Sequence, residues 1–136
     1  MQDEKRVVLD SSVIVALHFP EPFSDWSEGI IDSYEEFYIV DIAYAEVANV
    51  AWKRAYLFKN PLDQVLENLD KAIQFIESLC VTIRIKDIIL EATKIAVDLG
   101  LPVYDALFLS LAEKYEAPLA TLYKTLINKL SDTKYY

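Results

Sequence analysis

Val7-Val8-Leu9-Asp10-Ser11-Ser12 is a short apolar run that ends in one acidic residue and two small hydroxyl residues. Consecutive large aliphatic residues between a charged segment and a polar one are typical of a short strand buried in a parallel sheet. In open parallel sheets, ligands bind outside the carboxyl ends of the strands. Asp10 is therefore predicted to lie at a ligand-binding edge.

Two more carboxylates lie beside apolar runs. Glu46 is flanked by small and apolar residues within residues 42–51, and Asp105 leads into the apolar segment 106–112. An unpaired carboxylate in apolar surroundings is costly, and a divalent cation is a partner able to hold several of them. Together with Asp10, these residues predict one acidic pocket that binds a metal ion. An Asp at a helix start is also often only a cap, and this alternative stays open for Asp10 and Asp105.

Short strand patterns alternate with helical patterns along the whole chain. Strands are predicted at residues 7–9, 37–40, 81–85 and 118–122, and helices at residues 12–17, 23–34, 42–57, 61–79, 88–99, 103–115 and 124–130. Asn60 and Asp87 are predicted N-caps, and Gly100 is predicted to end a helix in the left-handed conformation. This alternation predicts an α/β fold in which helices cover both faces of a parallel sheet.

Composition excludes several classes of protein. The chain has 136 residues, a net charge of −9, one cysteine (Cys80) and two glycines. An internal disulfide, a zinc site built on cysteines and a glycine-rich phosphate loop are therefore not expected. The negative charge argues against binding of nucleic acid by bulk attraction alone. Without a long apolar run or a signal sequence, the chain is expected to be a single cytoplasmic domain over residues 1–136.

Four segments resemble, in order and spacing, the PIN-domain nucleases, and in particular the small VapC-like toxins of toxin–antitoxin pairs. They are residues 8–17 around Asp10, 45–49 around Glu46, 104–113 around Asp105, and 118–126 around Thr121. The resemblance covers nearly the whole chain, from about residue 7 to about residue 130. It implies a three-layer α/β/α PIN-like fold with a four- or five-stranded parallel sheet flanked by helices.

The resemblance also implies an activity. It predicts a ribonuclease that hydrolyses RNA phosphodiesters with Mg²⁺ or Mn²⁺ held by Asp10, Glu46 and Asp105. Carboxylates suit these hard ions, which prefer oxygen ligands. Ser12 and Thr121 are expected to orient the metal-binding carboxylates without contacting the metal ion themselves. The RNA contacts are expected from Lys53, Arg54 and Lys124, and the expected protein partners are a small antitoxin and a second copy of the chain.

The chain departs from the family pattern at one position. The family usually carries a fourth acidic residue in a Thr-x-Asp pattern after the last core strand, whereas this chain has Thr121-Leu122-Tyr123. One alternative is therefore a PIN-like module that binds without cleaving. A phosphoacceptor receiver domain is disfavoured. Such a domain needs two adjacent acidic residues after its first strand, whereas in this chain Asp10 is preceded by Leu9.

Overall fold

The structure, a computed structural model, describes residues 5–20, 22–123 and 126–128. Within these residues, four strands and six α-helices alternate, and the third helix closes with a π-helical turn. In chain order they are β1 (Arg6–Leu9), α1 (Ser11–His18), α2 (Ser24–Ser33), β2 (Glu36–Val40), α3 (Ile42–Trp52), the π-turn (Lys53–Leu57), α4 (Leu62–Leu79), β3 (Cys80–Ile83), α5 (Ile85–Leu99), α6 (Val103–Tyr115) and β4 (Leu119–Ala120). Residues 126–128 are helical as well.

The four strands form one parallel sheet in the order β3-β2-β1-β4. The predicted parallel α/β sheet is confirmed. The chain builds outward from β1 to β2 and β3 and then returns to the opposite side of β1 with β4. This reversal between β1 and β4 is the topological switch point, where ligands bind in folds of this kind. Asp10 follows β1 and Thr121 follows β4, so both lie at the switch point.

The core lies between the sheet and its helices. All three aliphatic residues of β1 are buried, which agrees with their consecutive apolar pattern in sequence. Helix α6 packs on β1 and β2 and against α5, whereas α1, α3 and α4 pack with one another. Six consecutive residues of α6, 106–111, are buried. Because β1 is central and buried, the residue that follows it is held in a rigid frame.

Gly100 ends α5 with a φ of 67°, as predicted, but two predicted N-caps are wrong. Helix α4 begins at Leu62, with Pro61 in the N-cap position, while the N–H of Asn60 donates to the carbonyl of Arg54 at 2.9 Å. Helix α5 begins two residues before Asp87. Its first N–H, from Ile85, donates to Asp41 Oδ1 at 3.1 Å, so a distant carboxylate makes the capping contact.

Predictions for the last residues lie largely outside the described ranges. Of the helix expected over residues 124–130, only 126–128 are described. The position of a fifth strand after residue 130 and that of Lys124 also lie outside them. Among the described residues, no single helix has the length and apolar composition of a membrane span. Helices α5 and α6 have that length and composition only when they are taken together, and the angle between them is 113°.

We expect Leu9→Ala to lower the free energy of unfolding by about 2–5 kcal/mol, because it leaves a cavity in the central strand. Leu90→Ala is the matched control, since Leu90 is 78% exposed on α5 and Leu9 is fully buried. The control should change the free energy of unfolding by less than about 0.5 kcal/mol. Urea unfolding followed by circular dichroism measures both, and equal losses would contradict the assigned core.

Candidate functional site

Asp10 divides its carboxylate between two environments. The residue is fully buried and is the N-cap of α1. Its Oδ1 accepts from the backbone N–H of Ser12 at 2.9 Å and from the Ser12 hydroxyl. Its Oδ2 is buried and has no hydrogen-bond partner. The capping interpretation of Asp10 is therefore right for Oδ1, whereas Oδ2 takes no part in the cap.

Ser12 ties this carboxylate to the neighbouring strand. Its hydroxyl donates to Asp10 and accepts from the backbone N–H of Leu122 at 2.8 Å. The backbone N–H of Asp10 donates to the carbonyl of Ala120 at 3.2 Å, and Thr121 lies near enough to the Asp10 side chain to lower its pKa. Ser12 and Thr121 thus lie beside Asp10, and their orienting role stays a prediction.

Glu46 approaches the same place from α3. Its side chain is partly buried, because α3 starts directly after β2 and the residues flanking Glu46 are small or apolar. Its Oε1 is buried without a hydrogen-bond partner, like Oδ2 of Asp10. Ser11, the first residue of α1, lies beside the Glu46 side chain and acts to lower its pKa.

Asp105 lies in the first turn of α6, where the helix dipole favours a negative charge. It is not the cap, because Pro102 occupies the N-cap position. The Asp105 charge acts on Glu46, and the Glu46 charge acts on Asp10. The structure therefore brings the three predicted carboxylates into one electrostatic neighbourhood, although they are separated widely in sequence.

Burial shifts all three carboxyl groups in the same direction. Desolvation raises the pKa of Asp10 from 3.8 to about 7, against the lowering effect of its hydrogen bonds from Ser12 and Thr121. Desolvation, assisted by the Asp105 charge, also raises the pKa of Glu46. Desolvation raises the pKa of Asp105 too. These carboxylates have fewer favourable partners in the folded chain than they would have in water.

A cleft of about 320 Å³ opens beside Glu46. Its walls are Ile42, Ala45, Glu46, Asn49, Val50, Lys53, Tyr104 and Tyr123. Lys53, in the π-turn, therefore lines the same cleft as Glu46. Arg54 makes other contacts: it donates to the carbonyl of Pro20 at 3.2 Å and its guanidinium lies 5.6 Å from the Phe19 ring centre.

Three residues that contribute to this site were not among the predicted site residues. Asn49 lines the cleft, and its position three residues after Glu46 on one helix could have indicated this. Ser11 and Tyr123 are hydrogen-bonded to each other at 2.9 Å across 112 residues of chain. No pattern in the sequence indicates that contact, because it depends on how β1 and β4 pair.

The residues present fit a divalent cation. Two buried carboxylate oxygens, from Asp10 and Glu46, have no partner, and oxygen is the ligand that Mg²⁺ and Mn²⁺ prefer. Within the described residues, no group of three or more His, Cys, Asp or Glu side chains forms a ready metal cage. Mg²⁺ does not require one, since it usually keeps several waters and takes one or two carboxylates. Asp10 and Glu46 would supply these two oxygens to the ion, and Asp105 would be the third carboxylate of the site.

Comparison with known proteins gives concordant results. The family model for the PIN domain matches residues 7–125. Ribonuclease VapC3 from Pyrobaculum aerophilum is 33% identical over 124 residues, which are 91% of this chain and 94% of the relative. The crystal structure of PAE2754, also from Pyrobaculum aerophilum, superposes with a TM-score of 0.71 over 99% of this chain and 85% of that one, at 23% identity. The family expected from four short motifs is confirmed, and the last comparison supports the fold alone.

We expect the metal-free protein to lose stability as the pH rises from about 4 to about 7. Folded Asp10 keeps its proton to about pH 7 and unfolded Asp loses it near its ordinary value, so the folded state binds more protons in this window. The loss attributable to Asp10 is roughly 4 kcal/mol.

Asp10→Asn should flatten this pH dependence, because the amide oxygen retains the cap and the titrating group is gone. Asp87→Asn, a change at an exposed carboxylate, serves as the control and should keep the wild-type slope. Urea unfolding in EDTA at four pH values measures the effect. A slope unchanged in Asp10→Asn would show that Asp10 is not the titrating group.

Proposed function

Since this chain belongs to the PIN-domain family and is VapC-like in sequence, we propose that it is a metal-dependent endoribonuclease, the toxin of a toxin–antitoxin pair. Its substrate is RNA, and it hydrolyses phosphodiester bonds with Mg²⁺ or Mn²⁺ as the cofactor. The catalytic and metal-binding residues are Asp10, Glu46 and Asp105. The chain forms a single PIN-like domain over residues 1–136 and acts in the cytoplasm.

One observation carries the metal-binding part of the proposal: Asp10 Oδ2 and Glu46 Oε1 are both buried and unpartnered. A buried acceptor without a partner costs roughly 1–3 kcal/mol, and more when it is charged. A fold selected for stability alone would not keep two such oxygens at one edge of the sheet. A site that must bind a cation needs them.

The division of work follows from the contacts. A divalent cation held here would act as a Lewis acid: it would polarise the phosphodiester and stabilise negative charge on the leaving oxygen. Ser12 holds Asp10 through Oδ1 and thereby keeps Oδ2 directed away from the cap. Ser11 holds Glu46 in the same way, and Asp105 keeps the pocket negative. The buried position of Asp10 limits access of bulk water to that carboxylate.

Lys53 is proposed to bind an RNA phosphate. It lies on the cleft wall with Glu46, and residues 47–62 contain three basic residues, Lys53, Arg54 and Lys59, and no acidic one. This segment is positive in a chain whose net charge is −9. Arg54 would act chiefly by stiffening the π-turn, given its contacts with Phe19 and Pro20. Lys124 is proposed as a further phosphate contact.

We also propose that a small antitoxin inhibits the enzyme by covering the acidic pocket. The chain's negative charge favours a basic inhibitory segment. Large apolar side chains are exposed on α2 and around the π-turn: Phe23, Trp26, Trp52, Tyr56, Leu57 and Phe58. Exposed apolar surface of this kind favours a protein partner, either the antitoxin or a second copy in a homodimer.

A second candidate function is a PIN-like module that binds RNA without cleaving it. The observation that favours it is Tyr123, which lines the cleft where the family usually carries its fourth acidic residue. The two functions differ in whether the metal site supports turnover, and a cleavage assay distinguishes them.

Asp10→Asn should lower RNA cleavage in Mn²⁺ at least about 100-fold, because it removes the negative charge and puts an amide where an oxygen ligand is needed. Asp87→Asn, the same change at an exposed residue, should stay within about twofold of the wild type. Gel analysis of a mixed RNA substrate, with EDTA as the metal-free control, measures cleavage.

Tyr123→Asp belongs in the same assay. Cleavage by the wild type that Asp10→Asn abolishes supports the nuclease. An inactive wild type together with an active Tyr123→Asp variant would instead show that the chain kept the fold and lost catalytic activity with its fourth acidic residue. Inactivity of all the proteins, with RNA binding retained, would favour the binding module.

Lys53→Ala should raise KM for RNA about threefold to tenfold and leave kcat nearly unchanged, since one phosphate contact is lost. The dependence of KM on salt should become shallower, by about 0.7 in the log–log slope for a single strand. Lys94→Ala is the control, because Lys94 is an exposed residue of α5 paired with Glu91. A fall in kcat without a change in the salt slope would contradict a phosphate-binding role.

A further inference from the structure

Tyr123 is held at both ends. Its hydroxyl lies 2.9 Å from Ser11 Oγ, and its backbone N–H donates to Thr121 Oγ1 at 3.1 Å. Thr121 in turn lies beside the Asp10 side chain and lowers its pKa. Tyr123 is therefore fixed in the segment after β4 by contacts that lead directly to the acidic pocket.

The number of protons on each group decides which group donates to which among Tyr123, Ser11 and Glu46. A serine hydroxyl has one proton to donate, and an ionised carboxylate can only accept. The Ser11 hydroxyl lies beside the Glu46 side chain and 2.9 Å from the Tyr123 hydroxyl. An ionised Glu46 attracts the single proton of Ser11, and the Ser11 oxygen is then free to accept from Tyr123. The three groups thus form one path, from Tyr123 through Ser11 to Glu46.

A tyrosine at position 123 can donate a hydrogen bond to Ser11, which an ionised carboxylate cannot do. Burial, together with the charges of Asp10, Glu46 and Asp105, raises the pKa of Tyr123 to about 12. The phenol therefore stays protonated at neutral pH and always has a proton to donate. An Asp at this position would add a fourth negative charge and, when ionised, could not donate to Ser11.

We propose that Tyr123 is a positioning residue that acts through Ser11 to hold Glu46, with its Oε1 left unpartnered for a divalent cation. This inference rests on the proposed metal-dependent function and explains why the missing fourth carboxylate need not abolish it. Removing a group that orients a metal ligand typically lowers metal affinity about 10-fold or more. Because Tyr123 and Ser11 act in one path, losing both should cost little more than losing either.

The test is calorimetric titration with Mn²⁺ alone, without RNA, of the wild type, Tyr123→Phe, Ser11→Ala and the double variant. Each single variant should bind Mn²⁺ about 10-fold more weakly, and the double variant about as weakly as either single one. The electron paramagnetic resonance spectrum of bound Mn²⁺ should change in the same way in all three variants. Tyr104→Phe removes a phenol oxygen from the same cleft and should retain wild-type affinity.

Wild-type affinity in Tyr123→Phe would overturn the inference and leave the metal-dependent function standing. Losses that multiply in the double variant would also overturn it, since they would place the two hydroxyls in separate paths. If the wild type bound Mn²⁺ no better than Asp10→Asn does, both the inference and the proposed function would fail. Thermal melting of each metal-free variant verifies that it is folded, and Ser11→Ala tests the path independently of the ring of Tyr123.

Discussion

The divided carboxylate of Asp10 is the interaction on which the rest of the site depends. One oxygen caps α1 through Ser12, and the Ser12 hydroxyl also receives the N–H of Leu122 after β4. Asp10 and Ser12 together therefore fix the end of β1, the start of α1 and the segment that follows β4. The other oxygen of Asp10 stays buried and unpartnered, a cost that a bound cation would offset. The structural role of Asp10 and its proposed role in metal binding are compatible because they use different oxygen atoms.

Electrostatics explains why such a site is unfavourable in the empty protein and useful in the loaded one. Burial raises the pKa of Asp10, Glu46 and Asp105, so the pocket disfavours its own negative charge. In the proposed function, cation binding would reverse this balance, because the ion would supply the partner that these carboxylates lack. Stability, pH and metal concentration would then be linked in one equilibrium.

The sequence predicted the sheet well because buried parallel strands are continuous apolar runs, as in residues 7–9 and 37–40. It predicted Glu46 and Asp105 from their apolar flanks, and Asp10 from its place after β1. The prediction of the α4 cap was wrong, because a π-turn precedes α4 and the N–H of Asn60 donates to Arg54 within that turn. Leu62, Leu66 and Leu79 of α4 are apolar residues at helical spacing and yet are exposed, because spacing alone does not distinguish core from surface. The contact of Ser11 with Tyr123 was beyond prediction, as only the pairing of β1 with β4 creates it.

The most direct test of the central claim is anomalous X-ray diffraction at the manganese edge from crystals grown with Mn²⁺. The account predicts one strong anomalous peak within coordination distance of both Asp10 Oδ2 and Glu46 Oε1, and its loss in Asp10→Asn. A protein that cleaves RNA in Mn²⁺ but places its manganese elsewhere, or shows no manganese at this edge of the sheet, would contradict the account.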